Sequence, residues 1–176
     1  MAEKAVILDE KAMQRAVARI SYEIIERNKG VNNLCVIGMF SRGAELARRI
    51  ADKIREVESA EIPTGFLDIT SFRDDVKPGR EYSDRSDIPF PITDRKVVLV
   101  DDVIYTGRSV RAAIDALMEL GRPQSIQLAV LIDRGHREIP IRPDFIGKNL
   151  PTARDEQVKV MVRERDGIDK VIILEQ

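Results

Sequence analysis

The segment Val97-Val98-Leu99-Val100-Asp101-Asp102-Val103-Ile104-Tyr105-Thr106-Gly107-Arg108-Ser109 holds the densest set of groups able to do chemistry in this chain. An apolar strand runs into two acids, then into Thr-Gly and a hydroxyl residue that opens a helix. Gly107 allows a tight turn and a close approach of a ligand to the backbone. The N–H groups of Tyr105 to Ser109, at the positive end of a helix, suit a phosphate, and the hydroxyls of Thr106 and Ser109 add donors. Asp101 and Asp102 would repel that phosphate. They need a partner rich in donors or in positive charge, either ribose hydroxyls or a magnesium ion. A ligand with a phosphate at one end and a diol beside it is a phosphorylated ribose. Two adjacent acids alone would read as a solvated turn; the full pattern outweighs that alternative.

Two further stretches suit a second phosphate-bearing group. In residues 37–43, Ser41, Arg42 and Gly43 form a candidate cradle for pyrophosphate, because arginine offers a fork of donors. A plain strand-to-helix turn with Arg42 exposed is the alternative, and the loop 101–109 tips the balance toward the cradle. Arg73, just ahead of Asp74 and Asp75, is placed to clamp pyrophosphate when a lid closes and excludes water. A solvated loop is its bland reading.

These loops need a scaffold. Met13, Ala16, Val17, Ile20 and Ile24 recur at helical spacing over residues 9–28, with Asp9 as N-cap and Gly30 as a stop. A strand is expected at 33–38, and a second helix is marked by Leu46, Ala47, Ile50, Ala51 and Ile54. Residues 65–69 read as a strand. Residues 71–95 are polar and contain Pro78, Gly79, Pro89 and Pro91, which marks a lid or a disordered loop. An apolar strand at 97–100 precedes a helix over 108–120, closed by Gly121 and Pro123. Strands follow at 125–132, 157–162 and 170–174. The tail from Glu164 onward shows a turn at Asp166-Gly167 and no chemistry. This alternation predicts an α/β fold, a mostly parallel central sheet with helices on both faces. Ligands then bind beyond the carboxyl ends of the strands. The loops 38–43, 71–95, 101–107 and 133–152 all fall at that edge and outline one site.

The whole chain sets bounds. Its 176 residues are expected to form one domain over 1–176, with 34% charged and 43% hydrophobic residues. A net charge of −1 predicts no bulk attraction to nucleic acid or to an anionic membrane, so any basic surface must be local. The apolar runs are too short for a membrane span, and the N-terminus lacks a signal-peptide core. The single cysteine, Cys35, lies in an apolar run; it reads as a small buried hydrophobe, and a disulfide framework is impossible. The expected compartment is the cytoplasm.

The loop 101–109 resembles the signature of the type I phosphoribosyltransferases. The resemblance implies a Rossmann-like fold with a flexible loop at about 71–95 and a small hood at about 133–152. It implies phosphoribosyl pyrophosphate (PRPP) as ligand across Val97 to Ser109, with Ser41, Arg42, Gly43 and Arg73 on its pyrophosphate. It places the catalytic carboxylates Asp101 and Asp102 on the ribose hydroxyls, reaching magnesium only through PRPP. Purine-salvage members carry an acid just before the Thr-Gly; Tyr105 stands there and argues against hypoxanthine or guanine.

Further matches are Asp68-Ile69-Thr70 ahead of Arg73-Asp74-Asp75, Asp-Arg-Gly-His-Arg-Glu at 133–138 and Gly-Lys-Asn at 147–149. Together they resemble the bacterial pyrimidine-operon regulators that are also uracil phosphoribosyltransferases. That implies uracil and PRPP giving UMP and pyrophosphate, UMP-promoted binding of operon mRNA, transcription attenuation, and homodimers or larger assemblies. Ile132, Arg134 and His136 are the candidate base contacts. His136 suits a base or a phosphate, with an ordinary surface position as the alternative. For RNA, Arg15 and Arg19 follow Lys11 at four-residue spacing on the first helix. Arg137, Arg142 and Lys148 extend that patch if the two surfaces adjoin; a solvated helix face is the alternative. The family pattern favours a hydroxyl residue and a histidine where Ala18 and Tyr22 stand, and Tyr22 offers a stacking surface instead. The other reading is a nucleotide-sensing RNA-binding regulator with little turnover.

Overall fold

The computed structural model describes residues 1–175. The chain runs β1 (Ala2–Leu8), α1 (Glu10–Asn28), β2 (Leu34–Met39), α2 (Arg42–Glu58), β3 (Thr64–Leu67) and β4 (Lys96–Ile104). It continues through α3 (Arg108–Leu120), β5 (Ser125–Asp133), β6 (Phe145–Asn149), β7 (Gln157–Met161), the one-turn α4 (Arg163–Asp166) and β8 (Lys170–Glu175). Five strands form a parallel sheet in the order β3-β2-β4-β5-β6.

The apolar run at the start of β4 explains its central place. Val98 and Val100 face a core built with α1 and α2, where Met13, Ile20, Ile24, Leu46, Ile50 and Ile54 are buried. Val97 and Leu99 face the other core, with Val110, Ala113 and Leu117 of α3. Alternate residues of one strand therefore fill both faces, as a sheet covered on two sides requires. The Asp9 side chain caps α1 by accepting the Ala12 N–H at 2.8 Å.

Three departures from the sequence reading bear on the site. First, β4 does not stop at Val100. It runs on to Ile104 because pairing with β5 continues through Asp101 opposite Val130 and Val103 opposite Ile132. Both acids therefore sit on the rigid strand and not in the loop after it. Second, the chain from 71 to 95 is ordered in part. Phe66 and Asp87 exchange backbone bonds of 2.9 and 2.8 Å, and Ile88, Phe90 and Ile92 pack at alternate positions against the α3 side of the core. Only residues 73–85 project as a loop. Third, two strands went unread. β6 lies inside the expected hood loop and closes the edge of the sheet on β5. β1 pairs with β8, which pairs with β7, in a second, antiparallel sheet of three strands. Leu8, Val160, Val162 and Val171 join this sheet to the core of α1 and α2.

No helix among the described residues is long and apolar enough to cross a membrane. Cys35 is wholly buried in β2, and burial pushes its thiol up to about 11, against a smaller opposing effect of Arg95. At about pH 8 a disulfide reagent should leave the native thiol unmodified while labelling a urea-unfolded sample to completion. Fast stoichiometric labelling of the native protein would show that the α3 face of the sheet is open.

Candidate functional site

The carboxyl edge of the sheet gathers the turn before α2, the chain after β3, the loop between β4 and α3, and the loop after β5. On a strand, successive side chains point to opposite faces, so Asp101 and Asp102 are not equivalent. Asp101 is 9% exposed, and its Oδ1 accepts the Asp102 N–H at 2.9 Å. Burial first, and the neighbouring charge of Asp102 after it, push the Asp101 carboxyl well above the usual carboxylate range. Asp102 is partly exposed; its Oδ1 accepts the Val103 N–H at 2.8 Å. Asp102 is the more exposed of the two carboxylates, while Asp101 is buried and borders the cavity at the loop before α3.

Gly107 caps α3 with φ 92°, a left-handed conformation that suits glycine. The Thr106 carbonyl accepts from Glu138 and Ile139, at 2.9 and 3.3 Å, which ties this loop to the chain after β5. The Arg108 N–H donates to Thr106 Oγ1 at 3.2 Å, so among the amides from Tyr105 to Ser109 this one is engaged within the loop. The first-turn N–H groups of any helix lack helical partners. A cavity of about 140 Å³ is lined by Asp101, Tyr105, Thr106, Gly107 and Ser109. A neighbouring one of about 180 Å³ adds Arg73, Asp74 and Asp75 to Thr106, Arg108 and Ser109. Arg73 thus comes beside the hydroxyls of the loop, although its guanidinium is held by Asp75 at 2.5 and 2.8 Å.

The base of the projecting loop is anchored by Asp68. Its carboxylate accepts Thr70 Oγ1 at 2.6 Å and Arg85 Nε at 3.0 Å, and its own N–H donates to Ser86 Oγ at 2.8 Å. Burial raises its pKa, but the bonds from Thr70 and Arg85 outweigh burial and hold the carboxyl down at about 2. The Arg85 guanidinium also lies 4.8 Å from the Phe40 ring, in the turn that leads to α2.

Ser41 and Arg42 open α2 at the edge of the cleft, but Arg42 is not loose. Its Nε and Nη2 donate to Asp166 at 3.2 and 2.8 Å. Asp166 belongs to the tail in which the sequence showed no chemistry, and it lies 124 positions away, beyond any local pattern. Gly43 serves packing: an added Cβ would lie 2.7 Å from the Val100 carbonyl.

The candidate base contacts separate. Ile132 is fully buried with its side chain in the core, so it offers scaffold only. Arg134 is consumed internally by Thr152 Oγ1 and the carbonyls of Ala153 and Glu156, with its guanidinium 4.1 Å from the Tyr105 ring. His136 Nε2 lies 2.6 Å from the Thr152 carbonyl and its ring meets Tyr105 edge-on at 5.7 Å. His136 lines a cavity of about 510 Å³ together with Arg137, Ile141, Arg142 and Asn149. The proposed basic patch also divides. Arg137 is an interior strut, bonded to the carbonyls of Tyr105 and Ile141 and to Asp133, and Arg142 sits on the rim of this cavity. Arg19 donates to the carbonyls of Ile146 and Gly147, at 3.0 and 2.5 Å. That contact brings Lys148 beside Arg19, with Arg15 one turn back on α1.

The phosphoribosyl transferase domain family matches residues 5–161. The chain belongs to the phosphoribosyltransferase family. Its relatives narrow the group: it is 59% identical over 175 residues to the "Bifunctional protein PyrR" of Acetivibrio thermocellus, covering 98% of this chain and 95% of that one. The proteins of the same name from Deinococcus radiodurans and Bacillus cereus are 58% and 54% identical, covering 97% and 100% of this chain and 94% and 100% of theirs. Within the family this chain therefore stands among the PyrR proteins. Solved structures share the fold: a hypoxanthine-guanine phosphoribosyltransferase from Bacillus anthracis aligns with a TM-score of 0.76 at 18% identity, over 98% of this chain and 99% of that one. A hypoxanthine phosphoribosyltransferase of Trypanosoma cruzi aligns at 0.71 and 17%, over 98% and 97%.

The depressed pKa of Asp68 makes a signed prediction. Its contribution is fully present above its unfolded value near 4 and is lost as pH falls toward about 2. Asp68→Asn should therefore cost about 2 kcal/mol of local stability at neutral pH and erase that part of the acid dependence. Hydrogen exchange of residues 68–88 between about pH 5 and pH 2 would measure it; identical profiles in the two proteins would exclude the anchor.

Proposed function

We propose that the chain transfers the phosphoribosyl group of PRPP to uracil, giving UMP and pyrophosphate, and that the UMP-bound protein binds pyrimidine-operon mRNA to attenuate transcription. Residues 1–176 work as one phosphoribosyltransferase unit, with 73–85 as its lid, as a homo-oligomer in the cytoplasm. The observation that carries the catalytic reading is the convergence at one sheet edge of three groups: the open Asp102 carboxylate, the glycine-capped start of α3 and the Arg42 fork.

In this reading the first turn of α3, with Thr106 and Ser109, holds the 5-phosphate. Asp102 accepts the ribose hydroxyls and faces the positive charge that develops at the anomeric carbon. Arg42, with Arg73 from the lid, meets the departing pyrophosphate. Uracil N1 bonds to the anomeric carbon as the carbon–oxygen bond to pyrophosphate breaks, and the N1 proton passes to water. Positioning and charge stabilisation account for the catalysis. Magnesium suits carboxylate oxygens such as those of Asp101 and Asp102, and among the described residues no cluster of three His, Cys, Asp or Glu side chains forms a cage. The ion would then be carried by PRPP, where it supplies charge neutralisation on the phosphate oxygens. The cavity beside His136 takes the base. Tyr105, with Arg134 over its ring and His136 edge-on to it, stands where a purine enzyme places an acid.

Arg15, Arg19 and Lys148 are the residues offered to RNA phosphates. Among them Arg19 also fastens α1 to β6, so Arg15 and Lys148 are the cleaner probes.

Steady-state UMP formation tests the enzyme. Uracil should be converted in preference to orotate and hypoxanthine, and Asp102→Asn should lower kcat/KM by roughly 10- to 100-fold, the loss of about 1.5–3 kcal/mol from a charged hydrogen bond. Full turnover in that variant would remove Asp102 from the mechanism, and UMP binding without any turnover would leave a nucleotide sensor. For RNA, log affinity should fall with log salt by about 0.7 per phosphate contacted. Arg15→Glu or Lys148→Glu should weaken binding and flatten that slope, and an unchanged slope in both would exclude this surface.

A further inference from the structure

Running outward from the cleft, α2 carries three charged positions on one face, Arg42, Glu45 and Arg49, at helical spacing. Each meets an opposite charge on residues 164–169. Arg42 pairs with Asp166 at 2.8 Å, Glu45 with Arg165 at 3.4 Å, and Arg49 with both Glu164 and Asp169 at 2.7 Å. The signs alternate along both partners, so a slip of one position would set Arg42 against Arg165 and Glu45 against Glu164. The contact has one favoured register.

Asp166 is fixed independently of Arg42. Its Oδ2 accepts the Val162 N–H at 2.8 Å, and its own N–H donates to the Val162 carbonyl at 2.7 Å. The Arg42 guanidinium has five N–H donors in a rigid plane. Asp166 takes one on Nε and one on Nη2, which leaves three for another partner. The hydrogen bonds that Arg42 donates to Asp166, and after them the charges of Asp166 and Asp102, hold Arg42 above its ordinary pKa. Asp102 is thus close enough for its charge to be felt at the guanidinium.

We propose that Asp166 is a positioning residue for the transfer reaction: it clamps one edge of the Arg42 guanidinium so that the free edge meets the pyrophosphate of PRPP. The proposal rests on the reading of Arg42 given above. It makes the antiparallel sheet and its α4 turn part of the pyrophosphate site without touching the ligand. Fixing a planar donor in advance removes an ordering cost from substrate binding.

Steady-state kinetics of the full chain, with inorganic pyrophosphate as product inhibitor, test this. In Asp166→Asn the KM for PRPP and the inhibition constant of pyrophosphate should both rise roughly tenfold, with the KM for uracil unchanged. Asp169→Asn loosens the same contact through Arg49 and leaves Arg42 alone; it should lower Tm without moving the PRPP constants. If Asp166→Asn does not fold, Asp166→Glu keeps the charge one methylene further out and should raise the KM for PRPP about threefold. Unchanged PRPP and pyrophosphate constants in a folded Asp166 variant would overturn the proposal. An equal rise in Asp169→Asn would also overturn it, since the effect would then be general loosening. Arg42→Gln separates the two layers. No change there sinks the reading of Arg42 itself, whereas a rise in Arg42→Gln without one in Asp166→Asn sinks only the positioning role. In the double variant the rise should not exceed that of Arg42→Gln alone.

Discussion

The start of α2 lies so close to the carboxyl end of β4 that no side chain fits between them. A Cβ on Gly43 would fall 2.7 Å from the Val100 carbonyl, and one on Gly38 would fall 2.5 Å from the Gly43 carbonyl. Both distances are far inside van der Waals contact. This approach buries Asp101 and at the same time carries Arg42 to the side of the sheet edge where Asp102 opens. A methyl group at either glycine would push α2 outward, and Arg42 with it. The placement of the cation opposite the carboxylate is therefore a consequence of backbone packing, set before any side chain chooses a rotamer.

Arginines then stitch the surrounding segments together, and each bond has a consequence at the cleft. Arg137 joins the Tyr105 carbonyl to the Ile141 carbonyl and Asp133, so the loop before α3 and the chain after β5 move as one piece. Arg134 stacks on Tyr105 while tying down residues 152–156. Arg42 and Arg49 bind the antiparallel sheet to α2. These pairs are partly shielded from solvent, where a charged hydrogen bond is worth more than on an open surface. The Arg73 guanidinium, bonded to Asp75 two residues away, is held within its own loop.

The strand–helix alternation, the parallel sheet and the gathering of loops at its carboxyl edge were legible in the sequence, because apolar periodicity reports which face a residue buries. The loop 101–109 stood out for a different reason: glycine, hydroxyl residues and paired acids at fixed spacing form a combination that a plain solvated turn does not require. β1 and β6 escaped because they show little alternation. In β1 only Leu8 is buried, and its pairing comes from β8 at the opposite end of the chain. β6 buries Phe145 and leaves Lys148 and Asn149 exposed, as an edge strand does.

What the sequence determined by itself was local: helix and strand periods, a glycine turn with hydroxyl residues after paired acids, and a Tyr105 in place of an acid. What only the tertiary structure decided was which groups remain available. Asp101 and Asp102 are identical in type and adjacent in sequence, yet the pleat buries one and opens the other. Arg134, expected at the base, and Arg137, expected at RNA, are both bonded as struts to carbonyls, a hydroxyl and a carboxylate around them. Asp166 carried no signal at all, yet it holds Arg42. Partners brought together across more than a hundred residues leave no mark in spacing, since the bond between them depends on distance in space and on nothing in the chain between.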